Sequence, residues 1–316
     1  MSERLLPTAL KYVDQVARRG SIQAAARELN ISASAINRQI LLLEEELGVV
    51  LFERLARGMR PTLAGELVAT LAERWRGELG WVRSEIKYLE GENQGHLRMV
   101  AMDSMANGLL PRCIASLRER HPKITLEIEI ATPDAAQSLL VNGQADIALA
   151  FNLPAHREIQ ARWTARLPLG CVMSPAHPLA KAASLTLEDV AQQQLVLQSR
   201  ALTIRRYIEA HHEWLFQKGR MPIVTNSLQM LKSLVTGGHY VAMTSELDAA
   251  PEILDGKAVF VPLRVRSAED QTISIATHTR LNQHRIGILA CDLMQSEIAA
   301  MLKDVRARAR RDLSHK

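Results

Sequence analysis

The chain has 316 residues, enough for two or three domains with sizeable cores. Its hydrophobic share of 47% and charged share of 23% are ordinary for a globular protein and exclude a disordered or fibrous chain. A net charge of +5 permits a polyanionic partner without requiring one, because cations act through clustering more than through their total.

Thr8 to Ala17 reads as a first, supporting helix with Ala9, Val13, Val16 and Ala17 turned inward. Gly20-Ser21 then opens a second. Ile22, Ala25, Ala26 and Leu29 form one apolar stripe, and Ile36, Ile40, Leu43 and Leu47 form another. Between them Asn30 suits a left-handed helix end, and Ser32 can cap the next helix as Ser21 caps the one before. The pattern is that of a helix-turn-helix. Opposite the second stripe lie Ser34, Asn37 and Arg38. Asn and Arg can make paired hydrogen bonds to adenine and guanine edges, so this face suits a major groove. The bland alternative is a solvated helix face. After Gly48, the run Val49–Phe52 reads as a short strand. Arg54, Arg57 and Arg60 then crowd a small basic hairpin able to reach phosphates or a narrow minor groove. Leu41 and Leu42 sit off the main stripe.

The segments GSIQAAARELN, SASAINRQI, LEEELGVVLFERLARG and PTLAGE follow one another over about residues 5–65. In that order and spacing they resemble the DNA-binding domain of LysR-type transcriptional regulators. Three positions depart from the usual pattern, Ala33 for Gln, Ser34 for Pro and Asn37 for Ser, and they bear on which bases are read. The resemblance implies a winged helix-turn-helix over 5–62. Its DNA-contacting residues would be Ser21, Ser32, Ala33, Ser34, Asn37, Arg38, Gln39, Arg54, Arg57, Arg60 and Thr62.

Thr62 caps a long helix running to about Leu89. Within it Val68, Ala72, Trp75, Leu79, Val82, Ile86 and Leu89 alternate in steps of 4 and 3, a coiled-coil seam over three heptads. At 1.5 Å per residue such a helix extends roughly 40 Å, and a second copy is its natural partner. Packing against a later part of the same chain is the alternative. Gly77 and Gly80 weaken the helix or let it bend. The family resemblance likewise implies a linker helix, 63–90, that pairs two chains, with a dimer of dimers beyond that.

Glu90 to Gly95 breaks the heptads and reads as a hinge. Strands and helices then alternate. His96–Met102, Ile124–Ala131 and Asp146–Phe151 are strands, with a helix from Ser104 or Asn107 to Arg120 and another from Thr132-Pro133 to Asn142-Gly143. This βαβαβ grammar predicts a parallel sheet with crossover helices. A second set follows. It has strands at Pro168–Met173, Gln194–Gln198, Tyr240–Thr244, Ala258–Pro262 and Thr272–Thr277, and helices over Leu202–Lys218, Ser227–Gly237 and Gln283–Arg308. Two such lobes resemble the periplasmic-binding-protein-like effector domain of the same regulators. The expected fold is therefore α+β multidomain: winged helix-turn-helix, linker helix, and a two-lobed α/β domain of type 2 periplasmic-binding-protein kind over 93–316. Lobe 1 would take about 93–163 and 268–316, and lobe 2 about 164–267.

In open parallel sheets ligands bind at strand C-termini, where helix N-termini present free N–H groups. Ser104, Thr132, Gln198, Ser199, Asn226, Ser227, Thr244 and Ser245 fall at such places, the first seven being the candidate effector contacts. Helix capping is the plain alternative for each. Arg200 and Arg205 nearby favour a carboxylate as the effector.

Cys113, Cys171 and Cys291 are scattered and read as buried structural thiols. His211-His212-Glu213 sits on a helix where adjacent residues point apart, so neither a metal nor a cofactor is expected. No hydrolase, Walker or dinucleotide fingerprint occurs, which argues against an enzyme. Val305–Arg311 reads as a solvated basic helix end. No apolar run is long enough to span a bilayer and MSERLLPTAL has no signal-peptide core, so a cytoplasmic protein is expected. The resulting reading is a sequence-specific regulator binding double-stranded DNA as a homodimer or tetramer. A small-molecule effector would tune it, and RNA polymerase would be a further contact. Its rivals are an architectural DNA binder without effector, and a solute binder or enzyme with an incidental helix-turn-helix.

Overall fold

The structure, a computed structural model, describes residues 7–89, 95–200, 203–217, 222–264, 271–281 and 285–314. The expected hinge residues 90–94, the helix ends at Leu202 and Lys218, and Gln283 lie outside them. The chain forms two compact units, one reaching His96 and one built mainly from Leu97 onward.

In the first unit α1 (Thr8–Arg19), α2 (Ile22–Leu29) and α3 (Ala33–Leu47) precede a hairpin of β1 (Phe52–Arg54) and β2 (Met59–Pro61), then α4 (Leu63–Leu89). The helix ends are set locally. Ser21 and Ser32 accept the amides of Ala24 and Ala35, while Gly20, Asn30 and Gly48 end their helices in the left-handed region. Val13, Val16, Ala25, Ala26, Ile36, Ile40, Leu51 and Phe52 close one core. Val49 and Val50 differ from expectation: both are exposed and the strand starts only at Phe52.

The seam expected along α4 is also partly displaced. Val68 packs against the helix-turn-helix core and Ala72 is fully buried, because α4 docks along α1 and the Asp14 carboxylate bonds Arg76 there. The exposed apolar face runs instead through Leu63, Leu67, Leu71, Trp75 and Ile86. Leu79 and Val82 are half-buried. The Leu89 side chain lies outside what is described.

The second unit contains β3 (Gly95–Ala101), α5 (Leu109–Arg120), β4 (Ile124–Ile130), α6 (Pro133–Val141), β5 (Ile147–Phe151), β6 (Ile159–Leu167) and β7 (Leu169–Met173). There follow α7 (Leu187–Ala191), β8 (Val196–Gln198), α8 (Thr203–His212), α9 (Trp214–Gln217), β9 (Ile223–Thr225), α10 (Leu228–Thr236), β10 (Ala242–Ser245), α11 (Ala250–Leu254) and β11 (Val259–Pro262). Finally β12 (Gln271–His278) and α12 (Arg285–Ser314) return.

One lobe is a five-stranded sheet in the order β4-β3-β5-β12-β6. β3 and β5 pair in parallel as the βαβαβ pattern requires, but β12 runs antiparallel between β5 and β6. The sheet is therefore mixed rather than parallel throughout. α6 covers one face through Ala136 and Leu140, packed against Val100, Ala148 and Ala276. The other lobe holds the antiparallel set β10-β7-β11 and the parallel pair β8-β9. β6 and β9 were not anticipated.

Candidate nucleic-acid interface and ligand cleft

On the first unit, α3 presents Ser32, Ser34 and Arg38 to solvent, with Ala33, Asn37 and Gln39 half-covered. Nothing bulky or acidic stands among them, so the face can enter a groove about as wide as a helix. Ser21 and Ser32 are engaged as caps, and Ser34 donates to Ser32 at 3.1 Å. Thr62 is structural too. Its hydroxyl donates to the Val50 carbonyl at 2.7 Å and accepts from Gly65 N at 3.1 Å, joining the hairpin exit to α4.

The three arginines of the hairpin differ. Arg54 donates to Asn37 Oδ1 at 2.9 Å, so the wing holds the side chain expected to read a base. Arg60 pairs with Glu53 at 2.6 Å across the β1–β2 hairpin. Arg57, at the exposed tip, meets no partner among the described residues. Glu44 was not singled out from sequence. Its Oε1 accepts from Leu51 N at 2.6 Å and Phe52 N at 3.3 Å, tying α3 to the start of the wing. Gly58 (φ +96°) lets the tip approach the turn before α2. A Cβ there would fall 2.4 Å from the Gly20 carbonyl oxygen, which also accepts Met59 N.

On the second unit, the predicted ligand residues separate into groups. Thr132, Asn226 and Ser227 line a cavity of about 290 Å³ between the lobes, together with Asp103. Met102 and Leu228 also line it and are shared with a second pocket of about 10 Å³, room for one water, lined by residues that include Asn152, Gln198, Asp248 and Gln271. Ser104 and Thr244 are buried behind these walls, and Ser199 stands apart from both cavities. Thr244 donates to Asp248 Oδ2 at 2.5 Å and receives Gln198 Nε2 at 3.5 Å. Burial pushes the Asp248 carboxyl up, while the Thr244 and Ser104 hydroxyls and the Lys232 ammonium pull it back.

The two arginines expected beside a carboxylate effector are engaged elsewhere. Arg200 and Arg205 both bond Glu209, at 2.8 Å each, and hold its carboxyl down at about 2. The end of α10 offers no open site either, since Asp103 Oδ2 accepts Leu228 N at 2.7 Å and Gln229 N at 3.3 Å. Asp103, Asp248 and Gln271 were missed: Asp103 bonds amides 125 and 126 residues away, whereas Asp248 bonds Thr244 only four residues before it and was not singled out.

The three cysteines are buried, with thiols pushed up by desolvation to about 12 at Cys113 and Cys291 and still higher at Cys171. Among the described residues no His/Cys/Asp/Glu group could hold a metal and no helix is long and apolar enough to cross a membrane.

Comparison with known proteins gives two family profiles. Residues 7–66 match the bacterial regulatory helix-turn-helix protein of the lysR family, and residues 90–286 match the LysR substrate binding domain. A probable HTH-type transcriptional regulator, LrrA of Synechococcus elongatus, is 31% identical over 77% of this chain and 82% of its own. The RuBisCO operon transcriptional regulator of Allochromatium vinosum is 28% identical over 71% and 72%. Among solved structures, full-length OxyR from Pseudomonas aeruginosa covers 92% of this chain and 93% of its own at 20% identity and a TM-score of 0.66. Full-length CbnR complexed with its target DNA covers 92% and 98% at 21% and 0.63.

Proposed function

The chain belongs to the LysR family of transcriptional regulators, with a helix-turn-helix for DNA and a C-terminal effector-binding domain, and from that premise we propose how its residues divide the work. Ser34, Asn37 and Arg38 on α3 read base edges in the major groove. Arg57 anchors the wing to phosphate, and Arg54 acts through Asn37. Ser21, Ser32 and Thr62 act mainly as caps that set the angle of α3, with backbone and hydroxyl groups near phosphates.

The exposed stripe Leu63, Leu67, Leu71, Trp75 and Ile86 supports pairing of two protomers through α4, since a continuous apolar face of this length favours a partner. Two copies would present matched α3 helices to a twofold-related site. A dimer of dimers, contact with RNA polymerase and action in the cytoplasm extend the same reading. The cavity at Thr132, Asn226 and Ser227 supports effector binding between the lobes. Its occupation would alter lobe closure and hence the spacing imposed on DNA, which requires different affinity for two states.

The observation that carries the reading is the exposed, cation-bearing face of α3 beside the unpaired Arg57. Selection of bound fragments from a randomised pool by the full-length protein tests it. Arg38→Ala should relax preference at one base position per half-site, at about 1–3 kcal/mol. Unchanged base preference would remove Arg38 from the reading set.

A further inference from the structure

The outward face of α3 carries a residue that the division of work above leaves unused. On a helix turning about 100° per residue, Ser34, Arg38, Leu41 and Glu45 share an arc of about 60°. All four are exposed, and the buried Ile36 and Ile40 occupy the opposite side. Leu41 is 50% exposed on a line whose other members are polar or charged. Asn37 and Arg38 precede it by four and three residues, so it stands one turn beyond the two side chains that read base edges. The adjacent Leu42, also exposed, is turned about 100° away, to the side of Ala35 and Glu46.

An exposed leucine alone calls for no explanation. The position of Leu41 does. A groove that admits Asn37 and Arg38 also admits the side chain on the same line one turn later, and strips its water. The base edges there are hydrogen-bonding groups, and the one apolar group among them is the thymine 5-methyl. Against any other base, Leu41 takes water from a donor or acceptor and returns no hydrogen bond. Against thymine, methyl meets methyl. The three residues from Arg38 to Leu41 advance about 4.5 Å along the helix, close to one base-pair step of about 3.4 Å. Glu45, a further turn along the same line, marks the end of the contacting face, because phosphates repel its carboxylate.

We propose that Leu41 is a specificity-determining residue that selects thymine, through its 5-methyl group, at the base pair next to the one read by Arg38. This role rests on α3 being the groove helix, as read above. Its signature differs from that of Asn37 and Arg38, because preference follows a methyl group rather than a hydrogen-bonding edge. Cytosine methylated at C5 carries that methyl at the same place in the groove and should be preferred to plain cytosine there.

The test uses the full-length protein and a fragment selected from the randomised pool, with each thymine of one half-site replaced in turn by deoxyuridine. The replacement keeps the pairing with adenine and removes only the methyl. At one position wild-type affinity, read by fluorescence anisotropy, should fall about fourfold, as for one methyl-sized group returned to water. Leu41→Ala should be indifferent to deoxyuridine at that position, and Leu42→Ala should keep the wild-type loss. With the wild type, 5-methylcytosine there should outbind cytosine by a similar factor, and with Leu41→Ala it should not. A wild type indifferent to deoxyuridine at every thymine overturns the proposal. So does a loss that survives in Leu41→Ala, since another side chain then touches the methyl. Neither result disturbs α3 as the groove helix, which falls separately if Asn37→Ala and Arg38→Ala leave base preference unchanged.

Discussion

Arg57 and Arg60 lie three residues apart on the same wing, yet their surroundings predict unequal roles in DNA binding. Arg57 is exposed and has no partner among the described residues, so its charge is available to a phosphate. Arg60 already bonds Glu53 through Nε at 3.3 Å and a terminal nitrogen at 2.6 Å, and that carboxylate offsets its field. Each phosphate contact contributes about 0.9 to the slope of log affinity against log salt, so Arg57→Ala in both protomers should flatten the slope by about 1.8. Across a fourfold rise in salt, from about 50 to about 200 mM, the mutant should therefore lose roughly tenfold less affinity than the wild type. Arg60→Ala should flatten it by clearly less. Fluorescence anisotropy on one operator fragment, titrated at four salt concentrations, measures both slopes. Equal flattening by the two variants would refute the distinction, and an unchanged slope for Arg57→Ala would remove it from the phosphate contacts.

Two further outcomes concern stability. Glu44→Ala strips the acceptor from Leu51 N and Phe52 N, which should cost about 1–3 kcal/mol in urea denaturation of the first unit. A cost near zero would mean that water replaces the carboxylate there. The raised Asp248 carboxyl has a signed pH consequence. Its contribution is complete below the unfolded carboxyl pKa, near about 4, and is lost as pH rises through the higher folded value. The melting temperature of Asp248→Asn should therefore gain on the wild type as pH rises from about 4 to about 7. A constant gap would mean that Asp248 titrates alike in both states.

What could be read from sequence was what is decided within a few residues. Ser21, Asn30, Ser32 and Gly48 mark helix ends because capping involves only the adjacent turn, and α1 to α3 fall where expected. Along α4 the heptad steps identified an apolar helix, but not which face docks on α1. That choice is made by Asp14 and by the core beneath Val68, and it moved the free stripe toward Leu63, Leu67 and Leu71. β6 escaped notice because it lacks a clean inside-outside alternation, and β9 because it has only three residues. In the cleft, Thr132, Asn226 and Ser227 were recognisable as strand-end and cap residues. Asp103 was not, since its partners at Leu228 and Gln229 are 125 and 126 residues away and nothing in the local pattern announces them.

The bond from Arg54 to Asn37 gives the unbound protein an internal rehearsal of recognition. While that bond stands, one lone pair of the Asn37 oxygen is taken by Arg54, so an adenine read by Asn37 as proposed would share or compete for that oxygen with the wing. A base matched to Asn37 would recoup that exchange and would free Arg54 for the neighbouring backbone. At a mismatched base Asn37 would keep its intramolecular partner. On the proposed reading, sequence choice and backbone grip would be coupled through this one hydrogen bond.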